Sequence, residues 1–201
     1  MPKSFFLTFL VIGFIFGLNM KIIATPISDL WIIEPSVFGD DRGYFLETFH
    51  EKRLAEAGIN THFVQDNESK SKRGVVRGLH YQLAPNAQAK LVRVVSGEVL
   101  DVAVDLRRNS PTFGKHFSVV LSGKNKKQFY VPRGFAHGFS VLSEEAVFVY
   151  KCDNFYDKAS EAGIVFNDPQ LAIDWHLPEN ECLVSEKDRL LPTFSQANYN
   201  F

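Results

Sequence analysis

Leu91-Val92-Arg93-Val94-Val95-Ser96-Gly97-Glu98-Val99-Leu100-Asp101-Val102-Ala103-Val104-Asp105-Leu106 is the run on which the fold class turns. Its two arms are rich in β-branched residues and are separated by Ser96-Gly97, the pattern of two strands joined at a turn. In the second arm Leu100, Val102 and Val104 alternate with Val99, Asp101, Ala103 and Asp105. That period of two belongs to a strand, so the whole run reads as a β-hairpin. Working outward, Phe117 to Leu121, Lys127 to Val131 and Ala146 to Lys151 are further β-rich runs. Gly, Asn, Ser or Pro punctuates the gaps at the spacing of sandwiches and barrels. Helix signals are few. One covers His50 to Ala57 and is closed by Gly58, and short helical turns are expected at Asp168 to Ala172 and Glu186 to Leu190. Ser69 to Arg73 reads as a solvated turn. The expectation is an all-β domain with a few short peripheral helices.

Composition narrows the functions. Lys plus Arg is 22 and Asp plus Glu is 23, a net charge of −1, which argues against a strongly basic nucleic-acid binder and an acidic disordered tail. Two cysteines, Cys152 and Cys182, cannot build a disulfide framework and read as reduced, in keeping with a cytoplasmic protein. Phenylalanine is abundant at 19, and five of these lie at positions 5, 6, 9, 14 and 16. They belong to an apolar run, Ser4 to Leu18 behind Lys3, that suits a signal-peptide core and is short for a spanning helix. The small-residue cleavage site is missing, since Asn19-Met20-Lys21 follows. Residues 1–19 are therefore a signal-like leader or the product of a start assigned too early. Residues 20–201 form the single working domain, with no membrane association unless 1–19 are retained.

Two histidines lie in glycine-bearing contexts, Arg77-Gly78-Leu79-His80-Tyr81-Gln82 and Pro132-Arg133-Gly134-Phe135-Ala136-His137-Gly138. The second contains Pro-x-Gly-x-x-His, which resembles the second motif of the cupins, a family of double-sheet jelly rolls. Cupin metal sites usually add a His-x-His from the first motif. Here that stretch is His80-Tyr81-Gln82, so Gln82 stands where a ligand histidine would. With two histidines and no clear third ligand, no metal is assigned.

A longer pattern is more specific. It comprises Phe38 to Glu47, Phe63-Val64-Gln65-Asp66-Asn67, Arg77-Gly78-Leu79-His80, Gln88 to Arg93, Gly97 to Arg107, Ser110 to Gly114 and Pro132 to Phe139. In order and spacing it resembles the dTDP-4-dehydrorhamnose 3,5-epimerase family over nearly all of residues 20–190. The resemblance implies a cupin-like double-sheet jelly roll. It also implies inversion of the 3- and 5-positions of dTDP-4-dehydro-6-deoxy-D-glucose to give dTDP-4-dehydro-L-rhamnose. Such a reaction needs a base beside the carbonyl, a positive group for the enolate and an acid on the opposite face. It needs no cofactor, because the ketone is the electron sink.

Within this frame His80 is the base, since imidazole titrates near neutral pH. Lys90 holds the enolate, Tyr150 is the acid, and Asp188 orients His80, with Asp101 as the other candidate for that task. The resemblance assigns the diphosphate and sugar to Arg42, Glu47, Gln65, Asp66, Asn67, Arg77, His137, Glu161 and Lys187. Arginine suits phosphate because its planar fork pairs with two oxygens at once. Phe155 and Tyr156 are candidates for stacking on thymine. Strict strand alternation puts Arg77 and His80 on opposite faces, a conflict that a bulge or a strand starting after Arg77 would remove. The family typically works as a homodimer in which the Arg42 to Glu47 segment reaches the neighbour's nucleotide. Rival readings are a mono-epimerase or ketoisomerase of another dTDP-keto-sugar, a non-catalytic cupin-like sugar-binding protein, and a metal-dependent cupin.

Overall fold

The computed structural model of the protein describes residues 20–201; the leader expected for residues 1–19 lies outside the described residues. The described residues open with β1 (Met20–Ala24), β2 (Trp31–Pro35), β3 (Val37–Asp40) and β4 (Gly43–Leu46), followed by the helix α1 (Glu51–Glu56). Then come β5 (Gln65–Lys72), β6 (Val75–Gln82), β7 (Lys90–Ser96), β8 (Glu98–Asp105), β9 (His116–Ser122) and β10 (Gln128–Val131). The last elements are β11 (Phe135–Val141), β12 (Glu145–Cys152), β13 (Glu161–Gly163), β14 (Leu183–Val184) and α2 (Glu186–Arg189).

Two sheets face each other. The first runs β1-β2-β10-β7-β12-β5 and the second β13-β6-β11-β8-β9, with β14 added in parallel to β6. β3 and β4 form a separate hairpin. This is the expected cupin-like jelly roll, in which the chain passes repeatedly from one sheet to the other.

The expected hairpin at Leu91 to Leu106 is corrected. β7 pairs with β10 and β12 in the first sheet, whereas β8 pairs with β11 and β9 in the second. Ser96-Gly97 is thus a corner between sheets. Gly97 has φ +80°, and a Cβ there would lie 2.0 Å from the carbonyl oxygen of Glu145, so only glycine fits. Period two identifies a strand but not its partner. Ser69 to Lys72 is likewise part of the edge strand β5 rather than a turn. Lys70 and Lys72 point to solvent, while Ser71 is buried on the inner face.

The helical expectations fare unevenly. α1 lies within His50 to Ala57, and α2 within Glu186 to Leu190. Asp168 to Ala172 closes only one turn, with Ala172 N–H on the Asp168 carbonyl at 3.0 Å. Asp168 instead uses its carboxylate to accept from the Gln170, Leu171 and Phe194 amides, which pins the C-terminal segment. Among the described residues no helix is long and apolar enough to cross a membrane.

Three apolar layers hold the sandwich. Val92, Val94, Phe129 and Phe148 from the first sheet meet Val99, Leu121, Phe135 and Phe139 from the second. The outer face of the second sheet is covered by C-terminal residues including Ile164, Trp175 and Phe194. On the outer face of the first sheet Leu54 of α1 and Ile59 pack over Ile33 of β2. Covering both outer faces makes the space between the sheets rigid, and one end of that space is polar.

Candidate active site

The polar end is a cleft of about 740 Å³ lined by residues of both sheets and of α2. Inward parity supplies Asn67 from β5, Lys90 from β7 and Tyr150 from β12 on one wall. β6 and β11 supply Arg77, His80 and His137 on the other. α2 places Lys187 and Asp188 at the rim, and Ser185 fixes that short helix by accepting from the Asp188 amide at 3.1 Å.

Arg77 and His80 share the cleft because β6 is bulged. His137 pairs with His80 and Phe139 with Arg77, so two residues of β6, Gly78 and Leu79, stand against Gly138 alone. The extra residue reverses the parity and resolves the conflict that alternation posed. Gly78 has φ +122°, and a Cβ there would meet the Gly138 Cα at 2.6 Å and the His137 carbonyl at 2.8 Å.

Nε2 of His80 lies 2.8 Å from Oδ1 of Asp188, which is buried. Burial alone would raise the Asp188 carboxyl. The hydrogen bond and charge of His80, with smaller help from the Gly78 amide and Ser185, outweigh it and hold the carboxyl below its ordinary value. An ionised Asp188 can only accept, so Nε2 is the protonated nitrogen and Nδ1 is left for chemistry. Asp101 does not orient His80. It is fully buried against His137, with Oδ1 2.9 Å from Nε2, making a second histidine–carboxylate pair. Its Oδ2 has no hydrogen-bond partner among the described residues.

Among the described residues no carboxylate lies within ion-pairing distance of Lys90, and its Nζ lies 5.8 Å from the centre of the Tyr150 ring. Burial pulls its ammonium below the ordinary lysine value, against the opposing charges of Cys152, Asp101 and Glu161. Burial pushes the Tyr150 hydroxyl the other way, upward, so it stays protonated. The Tyr150 ring is braced by Phe148 at 6.0 Å, which stacks on Phe139 at 4.3 Å.

The residues expected to bind substrate divide. Asn67, Arg77, His137 and Lys187 line the main cleft, and Gln65 and Glu161 line a side chamber of about 170 Å³ that shares His80, Lys90 and Tyr150 with it. Glu161 accepts from Lys187 at 2.7 Å and from the Tyr156 hydroxyl at 3.0 Å. Arg42, Glu47 and Asp66 are not brought in. Arg42 sits at the β3–β4 turn and pairs with Asp40, and Glu47 pairs with Arg53. Asp66 points from β5 to the outer face and binds Lys151 at 2.9 Å. Arg189 lines the cleft beside Lys187 without having been expected there. A cation one residue beyond Lys187-Asp188 on a short helix was the available signal.

Among the described residues no three His, Cys, Asp or Glu side chains gather as a metal site. Gln82, at the degenerate cupin position, spends its amide on the backbone of Asn86, Phe155 and Asp157.

Fold and site together define a jelly-roll protein of the acid–base type, with a histidine on one sheet facing a tyrosine and a lysine on the other. The family model for dTDP-4-dehydrorhamnose 3,5-epimerase matches residues 24–196, and the chain belongs to that family. A dTDP-4-dehydrorhamnose 3,5-epimerase of Shigella flexneri is 56% identical over 181 residues, covering 90% of this chain and 99% of the relative. The crystal structure of a dTDP-4-dehydrorhamnose 3,5-epimerase from Elizabethkingia anophelis NUHP1 is 60% identical with a TM-score of 0.87, covering 90% of this chain and all of that one. A dTDP-6-deoxy-D-glucose-3,5-epimerase from Legionella pneumophila Philadelphia 1, solved in complex with dTDP-4-keto-L-rhamnose, is 54% identical with a TM-score of 0.85. That match covers 88% of this chain and 94% of the other.

Proposed function

We propose that this chain epimerises dTDP-4-dehydro-6-deoxy-D-glucose at the 3- and 5-positions to dTDP-4-dehydro-L-rhamnose, and that its roles follow from the two-walled cleft. The observation that carries the reading is His80, oriented by Asp188 at 2.8 Å, facing Lys90 and Tyr150 across the sheets. A sugar ring held between the walls has the base on one side and the acid on the other. Nδ1 of His80 takes the proton beside the 4-keto group, and the electron pair moves onto the carbonyl oxygen. The Lys90 ammonium stabilises the resulting enolate. Tyr150 returns a proton to the opposite face, which inverts the carbon. Arg77 and Lys187 at the rim suit the diphosphate.

The test is incubation with the substrate in deuterated water. Deuterium is expected at both carbons flanking the ketone, and no exchange at either would overturn the reading. Exchange at one carbon alone would instead favour a mono-epimerase. His80→Ala should lower exchange by about a hundred- to ten-thousand-fold, the usual contribution of a general base. Tyr150→Phe should retain proton removal while losing inversion. Equal losses in both variants would sink the division between base and acid.

The working unit in this reading is residues 20–201, acting as a homodimer in the cytoplasm. Supporting the dimer, the β3–β4 hairpin presents Phe38, Tyr44 and Phe45 to solvent and carries Arg42 outside its own cleft. Supporting the compartment, Cys152 and Cys182 are free thiols.

A further inference from the structure

The segment that follows β12, Asn154 to Asp157, carries the most exposed aromatic pair near the cleft: Phe155 is 67% and Tyr156 55% exposed. Exposed rings on an irregular segment would normally be mobile. Here four consecutive residues have their backbone held by three glutamine side chains. Gln88 donates to the Asn154 carbonyl at 2.7 Å. Gln82 donates to the Phe155 carbonyl at 3.3 Å and accepts from the Asp157 amide at 2.7 Å, while its second amide hydrogen reaches the Asn86 carbonyl at 2.6 Å. Gln65 accepts from the Tyr156 amide at 3.2 Å.

Gln65 begins β5 in the first sheet and Gln82 ends β6 in the second, so the segment is tied to both walls. Gln82 is 4% exposed, and all of its polar hydrogens and its oxygen are engaged with backbone. A carboxamide offers two donors and an acceptor without charge, which suits a buried anchor beside an anionic ligand. From the other side Tyr156 is tied through Glu161 to Lys187.

We propose that Gln82, with Gln65 and Gln88, is a positioning residue for nucleotide recognition: the clamp holds Asn154 to Asp157 so that the rings of Phe155 and Tyr156 stand ordered at the cleft mouth to take the flat face of the thymine base. This rests on the nucleotide-sugar reading above and deepens it. Ordering the platform before binding removes an entropic cost that the ligand would otherwise bear. The position that holds a metal ligand in a cupin here serves base recognition.

The experiment uses the full chain with Gln82→Leu and Gln82→Glu, and TDP and inorganic pyrophosphate as probes. For Gln82→Leu, TDP affinity and substrate KM should each weaken about tenfold, the scale of one or two ordered side chains lost. kcat should stay within about twofold and pyrophosphate affinity should be unchanged, because diphosphate contacts and chemistry lie elsewhere. Amide hydrogen exchange of residues 154–157 should accelerate. Gln82→Glu keeps the acceptor for the Asp157 amide but turns an oxygen onto the Asn86 and Phe155 carbonyls, so a loss at least as large is expected. Gln88→Ala, which removes only the donor to the Asn154 carbonyl, should give a smaller loss even if the Gln82 variants fold poorly. Adding Tyr156→Ala and Phe155→Ala to Gln82→Leu should cost little more. Unchanged TDP binding, equal weakening of TDP and pyrophosphate, or a loss confined to kcat would overturn the proposal. Wild-type protein that bound TDP through this clamp yet exchanged no deuterium would defeat the epimerase reading alone.

Discussion

In the proposed reaction Lys90 has to carry a full positive charge in a site that disfavours one, and that tension predicts a pH profile. Its role needs the ammonium, and burial holds its pKa below the ordinary 10.5. Activity is therefore present at lower pH and lost as pH rises through a value beneath that of free lysine. Two neighbours that could mimic this limb are displaced upward: burial raises the Tyr150 hydroxyl and pushes the Cys152 thiol to about 11. An alkaline fall in kcat centred below 10, the ordinary tyrosine value that Tyr150 exceeds, thus belongs to Lys90. Lys90→Arg, which keeps its charge across the range, should move that fall upward whatever it does to the rate. A limb that stays put in the arginine variant would remove Lys90 from the assignment. At this scale much was legible: His80 stood out by residue type within its motif, the family resemblance marked Lys90, Tyr150 and Asp188, and all four reach one cleft. The choice between Asp188 and Asp101 was not, because either could meet a histidine only through a fold that brings distant strands together. The structure gives His80 to the first and His137 to the second.

At the scale of the element, β6 shows why a pattern can be read correctly and still mislead. Alternation is right on both sides of Gly78 and fails across it, because the bulge inserts one residue opposite Gly138. The Arg77–His80 conflict left a bulge or a later strand start open, and the choice between them depends on the backbone of β11, which sequence spacing does not report. Gly78→Ala should test it. The added methyl would lie 2.6 Å from one backbone atom and 2.8 Å from another, at a positive φ. Overpacking of this kind costs about 2–3 kcal/mol, or roughly 5–10 °C in Tm for a chain of this size. Activity should fall further than the folded fraction does, since Arg77 and His80 flank the bulge. Gly39→Ala is the control: its Cβ would sit 3.6 Å from the Gly43 carbonyl oxygen, an ordinary contact, and should change Tm little. A Gly78→Ala protein with wild-type Tm and rate would show that the strand tolerates straightening. The corner at Gly97 makes the same point for β7 and β8. Their residues announce two strands, and only the surrounding sheets decide that the two never pair.

The whole molecule sets the last question, because three residues assigned to substrate stand outside the cleft that this chain builds. Asp66 is accounted for by its outward parity and its pairing with Lys151. Arg42 and Glu47 lie on or just beyond a hairpin whose apolar residues Phe38 and Phe45 are 54% and 69% exposed. A two-stranded ribbon with that much uncovered apolar surface is poorly stable alone and well suited to a neighbouring copy. If the hairpin serves the partner's cleft, two defective chains should repair each other. In a mixture of Arg42→Ala and His80→Ala chains, each hybrid dimer has one cleft with both faults and one with neither. Random exchange makes about half the dimers hybrid with half their clefts intact, so about a quarter of wild-type activity should return at limiting substrate. If the hairpin served its own cleft, both clefts of the hybrid would carry one fault each and mixing would restore nothing. Light scattering on the same sample checks that the chains are dimers. A monomeric mass, or a dimer without recovery, would return Arg42 and Glu47 to the role of surface charges held by Asp40 and Arg53.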